Sequence, residues 1–162
     1  MHMTRSNRVI STTAAAALAM VTLTAVPAFA DGSGGDSMLS APLMGSTLAP
    51  ASPTIAGINP GAAPWVNGPS RVRVREDGRI TVTIRGLIIP KLGGNPVASV
   101  VATLVCDNMV APSTAPFALS AAGDGSTSDM ISVPRHCEDP VVLIQPARNR
   151  SVYIASTMGE DD

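Results

Sequence analysis

The stretch from Ser70 to Gly86 constrains the fold of this chain more than any other. Within it, apolar side chains alternate with arginine or threonine on both sides of a short turn sequence, Glu76-Asp77-Gly78. Strict alternation is typical of a β-strand with one buried face, and two such runs joined by a Gly-containing turn are typical of a β-hairpin. The stretch therefore predicts an antiparallel hairpin with one apolar and one polar face.

The length of the hairpin loop follows from the side-chain period, because residues opposite each other in an antiparallel pair project to the same face. A two-residue loop would place the two apolar rows on opposite faces. A three-residue loop instead sets Val74 opposite Ile80 and Val72 opposite Val82. We therefore predict the three-residue form, with Gly78 in the left-handed region where a Cβ is disfavoured.

The polar face of this hairpin is the one feature that indicates a function. It collects Arg71, Arg73, Arg75, Arg79 and Arg85, with Thr81 and Thr83 between them. Guanidinium groups bind phosphate, sulfate or carboxylate through paired hydrogen bonds, so the face is a candidate site for an anionic wall polymer or an acidic protein surface. An ordinary solvated hairpin face alternates in the same way and remains the alternative interpretation.

The N-terminal residues 1–30 have the three parts of a secretory leader. Arg5 and Arg8 precede an uncharged stretch from Val9 to Val26, and Ala28-Phe-Ala30 forms a small-residue cleavage motif. We expect cleavage after Ala30, secretion to an extracellular location and no stable membrane insertion afterwards. An uncleaved anchor is less favoured because the uncharged run is dominated by Ala and Thr and no basic cluster follows it.

Composition excludes several classes of partner. Once Arg5 and Arg8 leave with the leader, nine of the eleven Lys and Arg residues remain against twelve Asp and Glu residues, a formal charge of −3. Such a chain has no overall attraction for nucleic acid. The three aromatic residues after the leader, Trp65, Phe117 and Tyr153, are too few to favour stacking platforms for bases or sugars.

Four regions are expected along the chain. After the leader, residues 31–64 are rich in Gly, Ala, Ser and Pro without a hydrophobic period, which predicts a disordered linker. Residues 65–158 should form the folded domain, and residues 159–162 an acidic tail. Further short strands are predicted at Ala98–Cys106, Phe117–Ala121, Ile131–Val133, Val141–Gln145 and Ser151–Ala155.

The fold class follows from these short strands and from the lack of a capped helical repeat. Together they predict a mostly β protein, a small antiparallel β-sandwich, with a small β-barrel as the alternative. The resemblance to immunoglobulin domains is one of architecture only. Cys106 and Cys137 lie closer together than the cysteines of that family, and Trp65 precedes both.

In a secreted chain the only two cysteines, Cys106 and Cys137, predict one disulfide bond. A Cys-His nucleophilic pair with His136 is a weak alternative, because adjacent residues of a strand point to opposite faces. No catalytic, cofactor-binding or metal-binding residues are predicted. The expected function is non-enzymatic binding or association with the cell surface; the alternative is a protease inhibitor that presents the loop from Asp107 to Pro116. The oligomeric state stays open.

Four segments of the sequence carry a resemblance. They are Gly61-Ala-Ala-Pro-Trp65, the hairpin through Leu87-Ile-Ile-Pro90, Val100-Val-Ala-Thr-Leu-Val-Cys106 and Cys137-Glu-Asp-Pro-Val-Val-Leu-Ile144. Together they resemble small, secreted, uncharacterised proteins of actinobacterial type. This resemblance implies export and a shared fold, but it implies no activity and no functional residues.

Overall fold

Residues 36–157 are described by a computed structural model of the protein, in which short strands dominate. The strands are β1 (Ser37–Pro42), β2 (Met44–Gly45), β3 (Asn59–Pro60), β4 (Arg71–Arg75), β5 (Arg79–Ile84), β6 (Ser99–Cys106), β7 (Met109–Ser113), β8 (Phe117–Ala118), β9 (Gly125–Met130), β10 (Val141–Pro146), β11 (Val152–Tyr153) and β12 (Ala155–Ser156). One turn of 3-10 helix covers Pro90–Leu92. The predicted leader 1–30, the start of the predicted linker and the acidic tail lie outside the described residues.

The strands form two main antiparallel sheets, as predicted for a β-sandwich. The first sheet has the order β1-β4-β5-β9, and the second has the order β2-β12-β10-β6-β7, with β8 also pairing with β6. Both sheets contribute side chains to one apolar core. Because they remain separate sheets and are not closed into a barrel, the barrel alternative is wrong. A short parallel pair, β3 with β11, lies beside them.

The hairpin of β4 and β5 has the predicted register. Val72 lies opposite Val82 and Val74 opposite Ile80. The N–H of Gly78 donates to the carbonyl oxygen of Arg75 at 3.0 Å, and Gly78 has a φ of 92°. Every apolar side chain of the hairpin is at most 1% exposed. Burial of each contributes about 1.5–3 kcal/mol, so the register is strongly held.

The core face opposite the hairpin comes from β6 and β10. Val100, Ala102, Leu104 and Cys106 project to it from β6, which confirms the predicted parity of this strand. Cys106 and Cys137 have their Sγ atoms 2.08 Å apart, the distance of the predicted disulfide bond. The bridge links the end of β6 to the segment that leads from the first sheet into β10.

The prediction of a disordered linker is wrong for residues 36–64. β1 pairs with β4 along the edge of the first sheet, and the buried side chains of Leu43, Ile55 and Ile58 anchor the rest of the segment. Its large apolar residues come singly or in pairs between Pro, Gly, Ala and Ser, so they produce no period. Leu43, Ile55 and Ile58 nevertheless each enter a site that the folded domain provides. The folded part of the chain therefore begins well before Trp65.

This segment covers the outer face of the second sheet. Ile55 and Ile58 pack with Val105, Leu143 and Tyr153 in a second apolar cluster. β6 and β10 are therefore buried on both faces. Where polar groups enter this layer they are paired, since the hydroxyl of Thr103 donates to Gln145 Oε1 and Gln145 Nε2 donates to the carbonyl of Arg150. A second layer of this kind is what allows a small domain to bury long apolar strands.

Two local predictions are corrected by the strand bounds. Residues Ile131–Val133 do not form a strand; the strand lies earlier, at Gly125–Met130. Half of the predicted loop from Asp107 to Pro116 is β7, which pairs with β6. Only Asp107 and Asn108 form the tight turn between these strands, with φ values of 50° and 61°. No helix among residues 36–157 is long and apolar enough to cross a membrane.

Tyr153 gives the fold a measurable dependence on alkaline pH. Its hydroxyl donates to the carbonyl of Pro53 at 2.6 Å, and burial raises the pKa of Tyr153 above its usual value, against a smaller lowering by Ser52. The neutral form is therefore favoured by folding. Its contribution to stability is present below the usual tyrosine pKa near 10 and is lost as the pH rises through the higher folded pKa.

The variant Tyr153→Phe is expected to lower the free energy of unfolding at pH 8 by about 0.5–1.5 kcal/mol, the net value of one hydrogen bond. It should also flatten the loss of stability above pH 10. Urea denaturation at pH 8 and pH 11 measures both effects. Because Tyr153 is the only tyrosine, its own ionisation can be followed by tyrosinate absorbance. An equal alkaline loss in both proteins would contradict the assignment.

Candidate anion-binding face

A shallow basin lies on the outer face of the first sheet, on the side away from the core. It has a volume of about 340 Å³, and every side chain that lines it can donate a hydrogen bond. These residues are Arg71, Arg73, Arg75, Arg79, Thr81, Thr83 and Ser128. We call them the Arg/Thr face. Guanidinium groups cannot accept hydrogen bonds, so the basin matches a ligand rich in acceptors.

The sheet register arranges this face in rows. Arg73 lies opposite Thr81, which in turn lies opposite Ser128 on β9. Arg71 lies opposite Thr83 in the next row. Because side chains on one face of a strand recur every second residue, successive rows are about 6.8 Å apart along β4. Each of these rows presents one guanidinium group beside hydroxyl groups.

The positive charge of the Arg/Thr face is not neutralised locally. Within residues 36–157, no carboxylate lies within 4.0 Å of a guanidinium nitrogen of the face. The acidic residue of β9, Asp129, lies opposite Ile80 and so belongs to the other side of the sheet. There its carboxylate accepts from the backbone N–H of Ala115 and of Met130, and these hydrogen bonds hold the pKa of Asp129 below its usual value.

The structure brings four of the five predicted arginines to the basin. Arg85 does not line it, because it follows the last residue of β5. Its backbone instead joins the neighbouring segment: the carbonyl of Arg85 accepts from Gly68, and its N–H donates to Ser70 Oγ. Ser128 was not predicted. A run of polar residues between Gly125 and Met130 gives no strand signal by itself, although its alternate residues share one face once it pairs.

A second cavity of about 750 Å³ lies near the disulfide bond. Its lining includes the apolar side chains of Leu39 and Val105 and the carboxylate of Asp107. That carboxylate is occupied, because it accepts from the backbone N–H groups of Glu138 and Asp139. It therefore holds the segment after Cys137 in place.

The other sites considered from the sequence are structural. The thiol of Cys137 is consumed by the disulfide bond, so it cannot serve as a nucleophile beside His136. Among the described residues there is no group of three or more His, Cys, Asp or Glu side chains that could hold a metal ion. Of the binding sites considered from the sequence, the Arg/Thr face is the one whose residues the described part of the fold brings together.

Comparison with known proteins adds no relative: no protein-family model, no curated protein and no solved structure matches the chain. The resemblance to small secreted proteins of actinobacterial type stays a prediction from the sequence. The candidate function therefore depends on the geometry of the Arg/Thr face itself.

Proposed function

We propose that the protein is a secreted, non-enzymatic binding domain that holds an anionic wall polymer on its Arg/Thr face. The observation that carries this proposal is the cluster of four guanidinium groups around one basin, with no carboxylate within 4.0 Å of them in residues 36–157. Like charges on one face of a sheet oppose its pairing. An anionic ligand removes this repulsion and gains charge-assisted hydrogen bonds.

The arrangement in rows favours a polymer over a single small anion. One guanidinium group in each row can meet one acidic group of an extended chain, and several weak contacts on one chain combine through their high effective concentration. The serine and threonine hydroxyls between the arginines can bind the neutral oxygens of such a chain. The basin offers no aromatic platform, which is consistent with recognition of charge and not of sugar rings.

Secretion is part of the same proposal. The disulfide bond between Cys106 and Cys137 fits an oxidising compartment, since such bonds are rare in the cytosol. The leader that the sequence predicts at residues 1–30 also supports export. An anionic polymer of the wall is what a protein released by this route meets first, and binding to it would keep the protein at the cell surface.

The proposal is tested by salt elution from immobilised dextran sulfate. The triple variant Arg71→Ser, Arg73→Ser and Arg75→Ser should elute at much lower salt than the wild type, because three phosphate-like or sulfate-like contacts and their counterion release are lost. Its melting temperature should stay the same or rise, since these side chains point away from the core.

A matched control is the triple variant Arg135→Ser, Arg148→Ser and Arg150→Ser. These arginines are exposed and lie off the basin, and the change in net charge is identical. It should elute like the wild type. Equal retention of both triple variants would reject the proposal. Retention on immobilised poly-glutamate without retention on dextran sulfate would instead indicate an acidic protein partner. It would reject an anionic wall polymer as the ligand.

A further inference from the structure

The row of the Arg/Thr face nearest the hairpin turn differs from the others. One step beyond the pair of Val74 with Ile80, the register places Arg75 opposite Arg79, and both side chains line the basin. The neighbouring row pairs Arg73 with a threonine. This end of the basin therefore carries two positive charges where each other row carries one.

Two like charges directly opposite each other on one sheet face destabilise the hairpin. Three acidic residues lie at or beside the turn: Glu76 and Asp77 within it, and Asp36, whose carbonyl accepts from the N–H of Glu76. None of them lies within 4.0 Å of either guanidinium group in the described part of the chain. The carboxylate of Asp77 accepts instead from the backbone N–H of Arg79 at 2.9 Å and so shapes the turn. Among the described residues, neither guanidinium group is therefore paired with a carboxylate.

We propose that Arg75 and Arg79 form a binding site for a phosphomonoester dianion, the terminal phosphate of the anionic polymer. This inference rests on the proposed function. It adds the chemical class of the group bound at the turn and the direction in which the polymer runs along β4. The terminal phosphate lies at the turn, and the polymer follows β4 across the singly charged rows toward Arg71. A phosphodiester or a carboxylate, with one negative charge, fits those later rows.

The charge of the ligand explains the choice of a phosphomonoester. Near neutral pH this group carries about −1.5 to −2 charges and three acceptor oxygens, because its second pKa is about 6. Two guanidinium forks supply at least four N–H donors directed at one ligand. A sulfate ester resembles a phosphate ester in shape but carries a single negative charge at both pH 5 and pH 7.5. It therefore serves as the control ligand.

Any pH effect of the protein itself has to be separated from that of the ligand. The neighbouring strands contribute Ser37, Ser40 and Pro42 from β1, and Ser126, Ser128 and Met130 from β9. The charged side chains are the arginines of the face and the three carboxylates at the turn; Arg135, next to His136, lines a cavity with Glu76 and so borders the turn as well. A change in the protonation of these carboxylates or of His136 would alter the binding of a sulfate ester and of a phosphate ester together, which the control ligand detects.

The test is a titration of the full chain with glycerol phosphate and with methyl sulfate, followed by backbone NMR shifts of β4 and β5 at pH 5 and pH 7.5. The affinity of the wild type for glycerol phosphate should rise by up to about tenfold between these pH values, in step with the dianion fraction. The affinity for methyl sulfate should not change. Arg79→Thr should abolish the rise, whereas the matched single-charge variant Arg71→Thr should retain it.

A second readout is stability at low salt. Arg79→Thr should raise the melting temperature because it removes the repulsion opposite Arg75. Glycerol phosphate at pH 7.5 should raise the melting temperature of the wild type and of Arg71→Thr but not that of Arg79→Thr. Equal pH dependence in both variants, or none in the wild type, would overturn the dianion site. If retention on dextran sulfate persists in that case, the proposed function stands; if that retention is also absent, both fail.

Discussion

A chain truncated to begin at Trp65 is expected to be unfolded at 25 °C, whereas one that begins at Asp36 is expected to unfold cooperatively. The first variant lacks β1, β2 and β3 and every contact between residues 36–64 and the two sheets. It corresponds to the domain that the hydrophobic pattern alone delimits. The second retains everything that the structure describes.

The size of the effect follows from what the segment buries. Leu43, Ile55 and Ile58 are each less than 9% exposed, and at about 1.5–3 kcal/mol for each side chain their burial is comparable with the whole stability of a typical domain, about 5–15 kcal/mol. Truncation also uncovers Val105 and Leu143 on the outer face of the second sheet. It leaves β4 as an unpaired edge, which favours aggregation.

Thermal melting followed by far-UV circular dichroism, with size-exclusion chromatography, distinguishes the two variants. We expect no cooperative transition for the chain that begins at Trp65. A transition at the melting temperature of the longer chain would contradict the structure, since it would mean that residues 36–64 contribute nothing to folding. Trp65 is present in both chains, so its fluorescence provides the same probe of the core in each.

The sequence predicts the hairpin and its register because two strands with period-two alternation and a Gly-containing turn allow only one arrangement with a single buried face. It does not predict the order of residues 36–64, because Leu43, Ile55 and Ile58 are isolated among Pro, Ala and Ser. Such residues bury themselves only in sites formed by distant strands. Local composition therefore indicates disorder where the tertiary structure provides order.

The same distinction separates the predicted and the unpredicted parts of the candidate site. The sequence predicts the arginines of the face because the alternation of apolar and polar residues identifies both β4 and β5. Ser128 was not found, because β9 is a run of polar residues whose pairing depends on an exposed edge of β5. The doubly charged pair of Arg75 with Arg79 follows from the predicted three-residue loop. Predicting that no carboxylate lies beside these arginines requires knowing which face of the sheet Asp129 occupies.

A substitution of Gly123 by alanine is expected to destabilise the protein by about 3–5 kcal/mol, the combined effect of a strained backbone and a steric overlap. Gly123 has a φ of 81°, and a Cβ there would lie 2.3 Å from both the backbone N and the carbonyl O of Leu87. The clash is with backbone atoms, which cannot rotate away. They belong to the connection that leaves β5, so the overlap must displace either this connection or the turn before β9.

Gly57 offers a matched control, because its φ of 79° is nearly the same but a Cβ there would have no neighbour within 4 Å. Gly57→Ala should therefore cost only the conformational part, about 1–2 kcal/mol. Urea denaturation of both variants separates the two contributions. A loss at Gly123 no larger than at Gly57 would mean that the turn does not approach Leu87 closely. A larger loss would confirm that this turn, which leads into β9 and so to Ser128 of the Arg/Thr face, packs closely against the backbone of Leu87.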